Sequence, residues 1–179
     1  MKRINTPVRI LIVTLLMIAA MGLAASAEAK ELTKQEALGV ALRDAGHKES
    51  EVKRIEIELD DDKAVKSFEV EFVVKGSKTE YSYEISADGG KILEKSVEYK
   101  YKHNKSKKKI GKQAAIKAVS KFSGIKKSTI KKGTCRYKYE HREGIYKIKF
   151  RKGSYRYEYE VLAPTGKIVE YDYEAIKKK

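Results

Sequence analysis

The chain has 179 residues, 36% of them charged, with 40 Lys+Arg against 25 Asp+Glu and a formal net charge of +15. It contains a single Cys, which excludes an internal disulfide framework and leaves packing alone to hold the folded units. The basic balance points to an anionic partner, and beyond the first 29 residues no stretch is apolar enough to span a membrane.

The N-terminus carries Lys2, Arg3 and Arg9, followed by an apolar run from Ile10 to Leu23 and then Ala24-Ala25-Ser26-Ala27-Glu28-Ala29. A positive start, a short apolar core and small residues at A-x-A spacing predict a secretory signal peptide over residues 1–29, cut after Ala27 or Ala29. The run is shorter than the roughly 20 residues of a bilayer-spanning helix. Retention as an uncleaved anchor is the other reading. The expected location is secreted or envelope-associated, outside the cytoplasm.

The remainder repeats itself. Lys34-Gln35-Glu36-Ala37 recurs 78 positions later as Lys112-Gln113-Ala114-Ala115, Gly46 as Gly124, and Phe68-Glu69-Val70-Glu71-Phe72 as Tyr146-Lys147-Ile148-Lys149-Phe150. The offset then falls to 76, with Tyr81-Ser82-Tyr83-Glu84-Ile85 recurring as Tyr157-Glu158-Tyr159-Glu160-Val161 and Gly90-Lys91-Ile92 as Gly166-Lys167-Ile168. Self-similarity at a fixed period is the mark of repeated structural units. The division is residues 30–99, a basic linker at 100–109, and residues 110–179.

In the first copy, Thr33 and Glu36 form a capping box. Ala37, Leu38, Ala41, Leu42 and Ala45 then share a helical face, and Gly46 stops the helix in a left-handed cap. In the second copy Ala115, Ile116, Val119 and Phe122 make the stripe and Gly124 the stop. Alternating runs follow in each copy. Those of the first lie around Ile55–Leu59, Phe68–Phe72, Tyr81–Ile85 and Ile92–Glu98. Those of the second are Ile130–Tyr139, Ile145–Arg151, Ser154–Leu162 and Ile168–Glu174. Period-two alternation describes an antiparallel sheet with one buried and one wet face. The fold class is α+β: two tandem repeats, each one helix on a small antiparallel sheet of about four strands.

The closing motifs, Tyr81-Ser82-Tyr83-Glu84-Ile85-Ser86-Ala87-Asp88-Gly89-Gly90-Lys91-Ile92 and Tyr157-Glu158-Tyr159-Glu160-Val161-Leu162-Ala163-Pro164-Thr165-Gly166-Lys167-Ile168, resemble the PepSY domain, once per copy. The resemblance implies a small secreted or cell-surface module of the kind found in peptidase propeptides and in proteins that restrain peptidases near the envelope. It brings no catalytic residues. No peptidase follows the repeats, so action in trans is expected.

Chemistry-bearing motifs are sparse. There is no nucleophile elbow, HExxH or phosphate-cradling glycine loop. His47, His103 and His141 have no partner at metal-ligand spacing, and Asp60-Asp61-Asp62 lacks the alternating ligands of a calcium loop and reads as a hairpin turn. Cys135 aligns with Ile57 at an inward strand position and reads as a small core hydrophobe. No enzymatic activity, cofactor or metal is expected.

Two features point to binding. Residues 30–99 hold 12 Lys+Arg and 17 Asp+Glu, a net −5, whereas residues 100–179 hold 25 and 7, a net +18. Lys107, Lys108, Lys109, Lys126, Lys127, Lys131 and Lys132 are the candidate patch for an anionic partner, a wall polymer or lipid headgroups. Tyr155, Tyr157 and Tyr159, from a chain rich in Tyr, are the candidate protein-binding strand face. The leading expectation is a non-enzymatic binding module that regulates or inhibits an extracytoplasmic peptidase. The alternative is envelope association through the basic second repeat. Export argues against nucleic acid as the partner.

Overall fold

The computed structural model describes residues 31–62, 65–101, 108–140 and 143–176; the expected signal segment lies outside them. Helix α1 (Lys34–Ala45) leads through a single 3₁₀ turn at Glu49–Glu51 into strands β1 (Val52–Asp60), β2 (Ser67–Val74), β3 (Glu80–Ser86) and β4 (Ile92–Glu98). Helices α2 (Lys112–Ser123) and α3 (Lys127–Lys131) then precede β5 (Thr134–Glu140), β6 (Glu143–Lys152), β7 (Tyr155–Leu162) and β8 (Ile168–Ala175).

The local signals act as the residues dictate. The Glu36 amide donates to Thr33 Oγ1 at 3.2 Å, and the Thr33 amide donates back to Glu36 Oε2 at 2.7 Å, satisfying two amides at the start of α1. Gly46 ends α1 at φ +72°, a left-handed conformation that side chains resist, and the His47 amide closes the turn on the Leu42 carbonyl. In α2, Gly111 occupies the cap position and offers no side-chain acceptor; burial of Ala115, Ile116 and Val119 holds this helix instead.

Two expectations are corrected at this level. Ile130 does not begin a strand. It lies in α3, 1% exposed, and β5 starts at Thr134. The apolar side chain is buried as its alternation suggested, but a short helical turn delivers it to the core. Phe122 is not a core residue of α2. It is 47% exposed and packs edge-on against Tyr99, Tyr159 and Tyr171.

The larger finding concerns the sheet. All eight strands form one antiparallel sheet in the order β1-β2-β3-β4-β8-β7-β6-β5. The expectation of a separate small sheet under each helix is thereby replaced by a continuous one. β4 pairs with β8 from Glu94↔Glu174 to Glu98↔Glu170. Each would otherwise be an edge with a row of unpaired amides and carbonyls, and their pairing removes both edges at once. Registers run in parallel through the two halves: Ile57↔Val70 beside Cys135↔Ile148, and Phe72↔Tyr81 beside Phe150↔Tyr157. A register shift falls at Glu84/Ile85 and again at Glu160/Val161.

Directly paired residues share a face, so one face carries Phe68, Val70, Phe72, Tyr83, Ile85, Tyr146, Ile148, Phe150 and Val161, all buried. α1 packs on β1–β3 of this face and α2 on β5–β8, giving two main cores. The half-buried Cys135 borders the second core, and its burial pushes the thiol pKa up, away from thiolate chemistry.

Among the described residues no helix packs on the opposite, open face, where charge follows the rungs. Glu58, Glu69, Glu84, Glu94 and Glu174 succeed one another on β1, β2, β3, β4 and β8. The row then turns positive, with Glu174↔Arg156 and Arg156↔Arg151. The sign therefore changes between β8 and β7, not at the boundary between the halves. Burial, and then the neighbouring carboxylates of Glu160 and Asp172, push Glu170 up to about 7.

Two measurements test this arrangement. Ile85→Ala and Ile148→Ala each remove a fully buried side chain from a different core and should each cost about 2–5 kcal/mol. Because the β4–β8 ladder joins the cores, both should lower one shared thermal transition; two transitions, each answering to one variant, would contradict it. Glu170 binds its proton more tightly folded than unfolded, so its contribution is full below about 4.5 and is lost as pH rises through about 7. Glu170→Gln should therefore gain stability over the parent near neutral pH, with the gap closing at about pH 4 in denaturant titrations.

Candidate functional site: a tyrosine cleft beside the first helix

α1 and α2 sit over different parts of the sheet, and beside the last turns of α1 a cleft of about 660 Å³ opens on the helix-bearing face. The last turn of α1 supplies Arg43 and Asp44, the entry to β4 supplies Gly90 and Ile92, β7 supplies Tyr155 and Tyr157, and β8 supplies Tyr173. Residues from both halves are needed to make it. The tyrosines brace one another: Tyr155 meets Tyr173 edge-on at 5.5 Å between centroids, and Tyr157 lies 5.9 Å from Tyr173. The Tyr155 hydroxyl donates to the Ile92 carbonyl at 3.4 Å, tying β7 to the first half. Burial pushes the phenols of Tyr157 and Tyr173 above their ordinary range, so they stay neutral hydrogen-bonding groups.

One wall of the cleft rests on an ion pair. Lys95 on β4 points to the helix side and is 6% exposed. Its Nζ lies 2.6 Å from Asp44 Oδ2 and within 5.3–5.7 Å of the ring centroids of Tyr81, Tyr83 and Tyr171. The Tyr83 hydroxyl donates to the same Asp44 oxygen at 3.0 Å. A buried ammonium needs compensation, and here a carboxylate and three ring faces provide it. Asp44 stands in the last turn of α1, where the helix dipole disfavours an anion; the Lys95 contact offsets that. At the sequence offsets of 78 and 76, Asp44 corresponds to Phe122 and Lys95 to Tyr171, and those two rings also meet, 5.4 Å apart. The same two positions hold an ion pair in one half and an aromatic pair in the other.

The residues named from sequence divide. Tyr155 and Tyr157 line the cleft. Tyr159 does not belong to an accessible strand face: it is 4% exposed, stacked on Phe150 and Tyr171 and touched by Phe122, because α2 covers that stretch of β7. Lys107 lies outside the described residues. Lys108, Lys109, Lys126, Lys127, Lys131 and Lys132 are exposed but do not share one surface. Lys109 sits 3.7 Å above the Tyr137 ring on the helix-bearing side, whereas Lys132 borders a groove on the open face. His47 contacts Glu51 at 3.6 Å and the edge of Tyr81; His103 and His141 lie outside the described residues. Among the described residues no cluster of His, Cys, Asp and Glu could hold a metal, and no helix is long and apolar enough to cross a membrane. Sequence reasoning missed Asp44, Lys95 and Tyr173. Lys95 left a trace, since it shares the inward phase with Val97.

Removing the carboxylate alone should strand the Lys95 charge. Asp44→Ala is expected to cost about 2–3 kcal/mol, below the 3–5 of a fully buried pair because the Asp44 side chain is 33% exposed. The double variant Asp44→Phe/Lys95→Tyr, which installs the pair carried by the other half, should recover most of that loss in denaturant unfolding. A double variant no more stable than Asp44→Ala would show that the two sites are not interchangeable.

Residues 31–95 match the family described as PepSY, peptidase propeptide and YPEB domain. Among solved structures, the Bacillus megaterium YpeB C-terminal domain is 13% identical with a TM-score of 0.43, covering 79% of this chain; the chain spans 63% of that structure's length. A Clostridium difficile 630 protein described as a lipoprotein is 16% identical with a TM-score of 0.33, covering 80% of this chain and 94% of its own. A search of curated proteins finds no match. The matched segment, just over a third of the chain, runs from just before the capping box to the buried lysine of β4, and over that stretch the chain is similar to the PepSY domain.

Proposed function

We propose that this is a non-enzymatic, extracytoplasmic binding module. In this reading it arose by duplication of one helix-plus-four-strand unit, and it restrains a peptidase by engaging a segment of it in the tyrosine cleft. The observation that carries the reading is the cleft itself: Tyr155, Tyr157 and Tyr173 present half-buried rings in a pocket open to solvent. Tyrosine offers large contact area at little entropic cost and is favoured at protein interfaces. Arg43 and Asp44 at the rim add hydrogen-bonding capacity of both signs. The duplication is supported by the parallel strand registers and bulges. The peptidase as partner is supported by the family's own description, and the location by the signal-like residues 1–29.

The test is to titrate residues 30–179 against a panel of secreted zinc peptidases, following binding and residual activity. Tyr155→Ser/Tyr173→Ser should weaken the interaction by about 10–100-fold, as loss of interface anchors does, with the thermal transition retained. An absence of binding across the panel would remove the peptidase assignment. Binding that ignores the double substitution would remove the cleft.

A further inference from the structure

The open face of the sheet carries a second concavity, unrelated to the tyrosine cleft and on the other side of the strands. It is a groove of about 800 Å³. Lys132, Arg136 and Lys138 on or just before β5, Lys147, Lys149 and Arg151 from β6, and Arg156 from β7 line it, with one acid, Glu158. We infer that this groove binds a linear phosphate polymer, along whose backbone anionic charge recurs at short intervals.

Three observations lead there. The first is uncompensated charge. Lys147 is paired with Glu160 at 2.6 Å and Glu140 at 3.5 Å, Lys138 with Glu140 at 3.2 Å, Lys149 with Glu158 at 2.5 Å and Arg156 with Glu174 at 3.2 Å, through acids on β5, β7 and β8. Arg136, Arg151 and Lys132 have no ion pair among the described residues. The second is apposition. Arg136 faces Lys147 and Arg151 faces Arg156 across adjacent strands. Like charges directly opposite destabilise a sheet, and an anion lying between them relieves that. The third is spacing. Neighbouring strands lie about 4.8 Å apart and same-face residues along a strand about 6.8 Å apart. The cations therefore recur every several ångströms in both directions, as phosphates do along a flexible backbone.

The shape selects among polyanions. A lipid surface is best met by a convex basic patch with apolar side chains to insert. This site is concave, and none of the exposed large apolar residues Leu59, Val65, Phe122 and Tyr139 lines it. Its cations are spread over three strands and are mostly exposed, which suits many weak contacts along a chain better than the capture of one small anion.

The test uses residues 30–179 with two probes, inorganic polyphosphate and a glycerol-phosphate polymer, with anionic vesicles for comparison. Binding to at least one polymer should be measurable at low salt and should fall linearly in log K against log salt. Arg136→Glu/Arg151→Glu should lower affinity at least about tenfold, and Arg136→Gln/Arg151→Gln should reduce the salt slope by about 2, one for each arginine neutralised. Lys126→Glu/Lys127→Glu makes the same charge change outside the groove and should cost less than about threefold. Equal losses in the two reversal variants would reduce the effect to net charge and overturn the proposal. So would absence of polymer binding at low salt, or tighter binding to vesicles through the same arginines. Polymer binding that survives Tyr155→Ser/Tyr173→Ser separates this groove from the cleft, so either can fail without the other.

Discussion

The pairing of β4 with β8 is the constraint on which the rest of the molecule depends. Each is the last strand of its half, and each would be an open edge without the other. The ladder from Glu94↔Glu174 to Glu98↔Glu170 joins two four-stranded pieces into one sheet and puts both helices on the same face. The tyrosine cleft exists because β7 and β8 of one half are brought beside the end of α1 and the start of β4 of the other. The same pairing sets Glu94 against Glu174 and Glu98 against Glu170, four acids on two adjacent strands. Such rungs are unfavourable taken alone. They are offset on the helix side, where Lys95 faces Tyr173 and Val97 faces Tyr171, and by the backbone hydrogen bonds of the ladder itself.

The interior of the seam shows how one scaffold accepts two chemistries. Asp44 and Lys95 make a largely buried ion pair inside a cage of rings, and Phe122 and Tyr171 meet at the corresponding places. Replacing a buried ion pair by apolar groups is often neutral or stabilising, because the desolvation of two charges disappears with their attraction. The ionic version fixes orientation: Asp44 accepts from both Lys95 and Tyr83, which positions the end of α1 at the mouth of the cleft. The aromatic version sets Phe122, in the last turn of α2, edge-on against Tyr171 of β8.

The two faces of the sheet are different surfaces in kind. The helix-bearing face presents rings, neutral phenols and a few rim charges. The open face presents rows of charge, acidic from β1 through β8 and basic over β6 and β5. Dividing charge between halves by sequence suggests an acidic and a basic domain. In the folded sheet the acidic zone reaches into the second half, because β8 carries Glu170, Asp172 and Glu174 and lies beside β4. Burial, and then the nearby carboxylates of Glu160 and Asp172, raise Glu170.

Local structure was legible in the residues themselves. Thr33 and Glu36 announce a helix start, Gly46 and Gly124 its stops, and period-two runs the strands, because capping, left-handed turns and sheet alternation are decided within a few positions. The closing Tyr-x-Tyr-Glu motifs carried the family resemblance for the same reason. What sequence could not supply was set by contacts distant along the chain. Whether the two last strands pair, which face both helices take, that Tyr159 is covered while Tyr155 and Tyr157 are open, and that Lys95 meets Asp44 51 positions away all depend on strand order. Alternation reports which side chains share a face, but it is silent on which strand lies next. The lysine clusters illustrate the limit. Both in the basic half, Lys109 and Lys132 end on opposite sides of the sheet, while the cations that converge in the groove come a few at a time from β5, β6 and β7. Propensity and patterning act locally and could be read directly; the sites are made by strand neighbours, and only the tertiary structure chooses those.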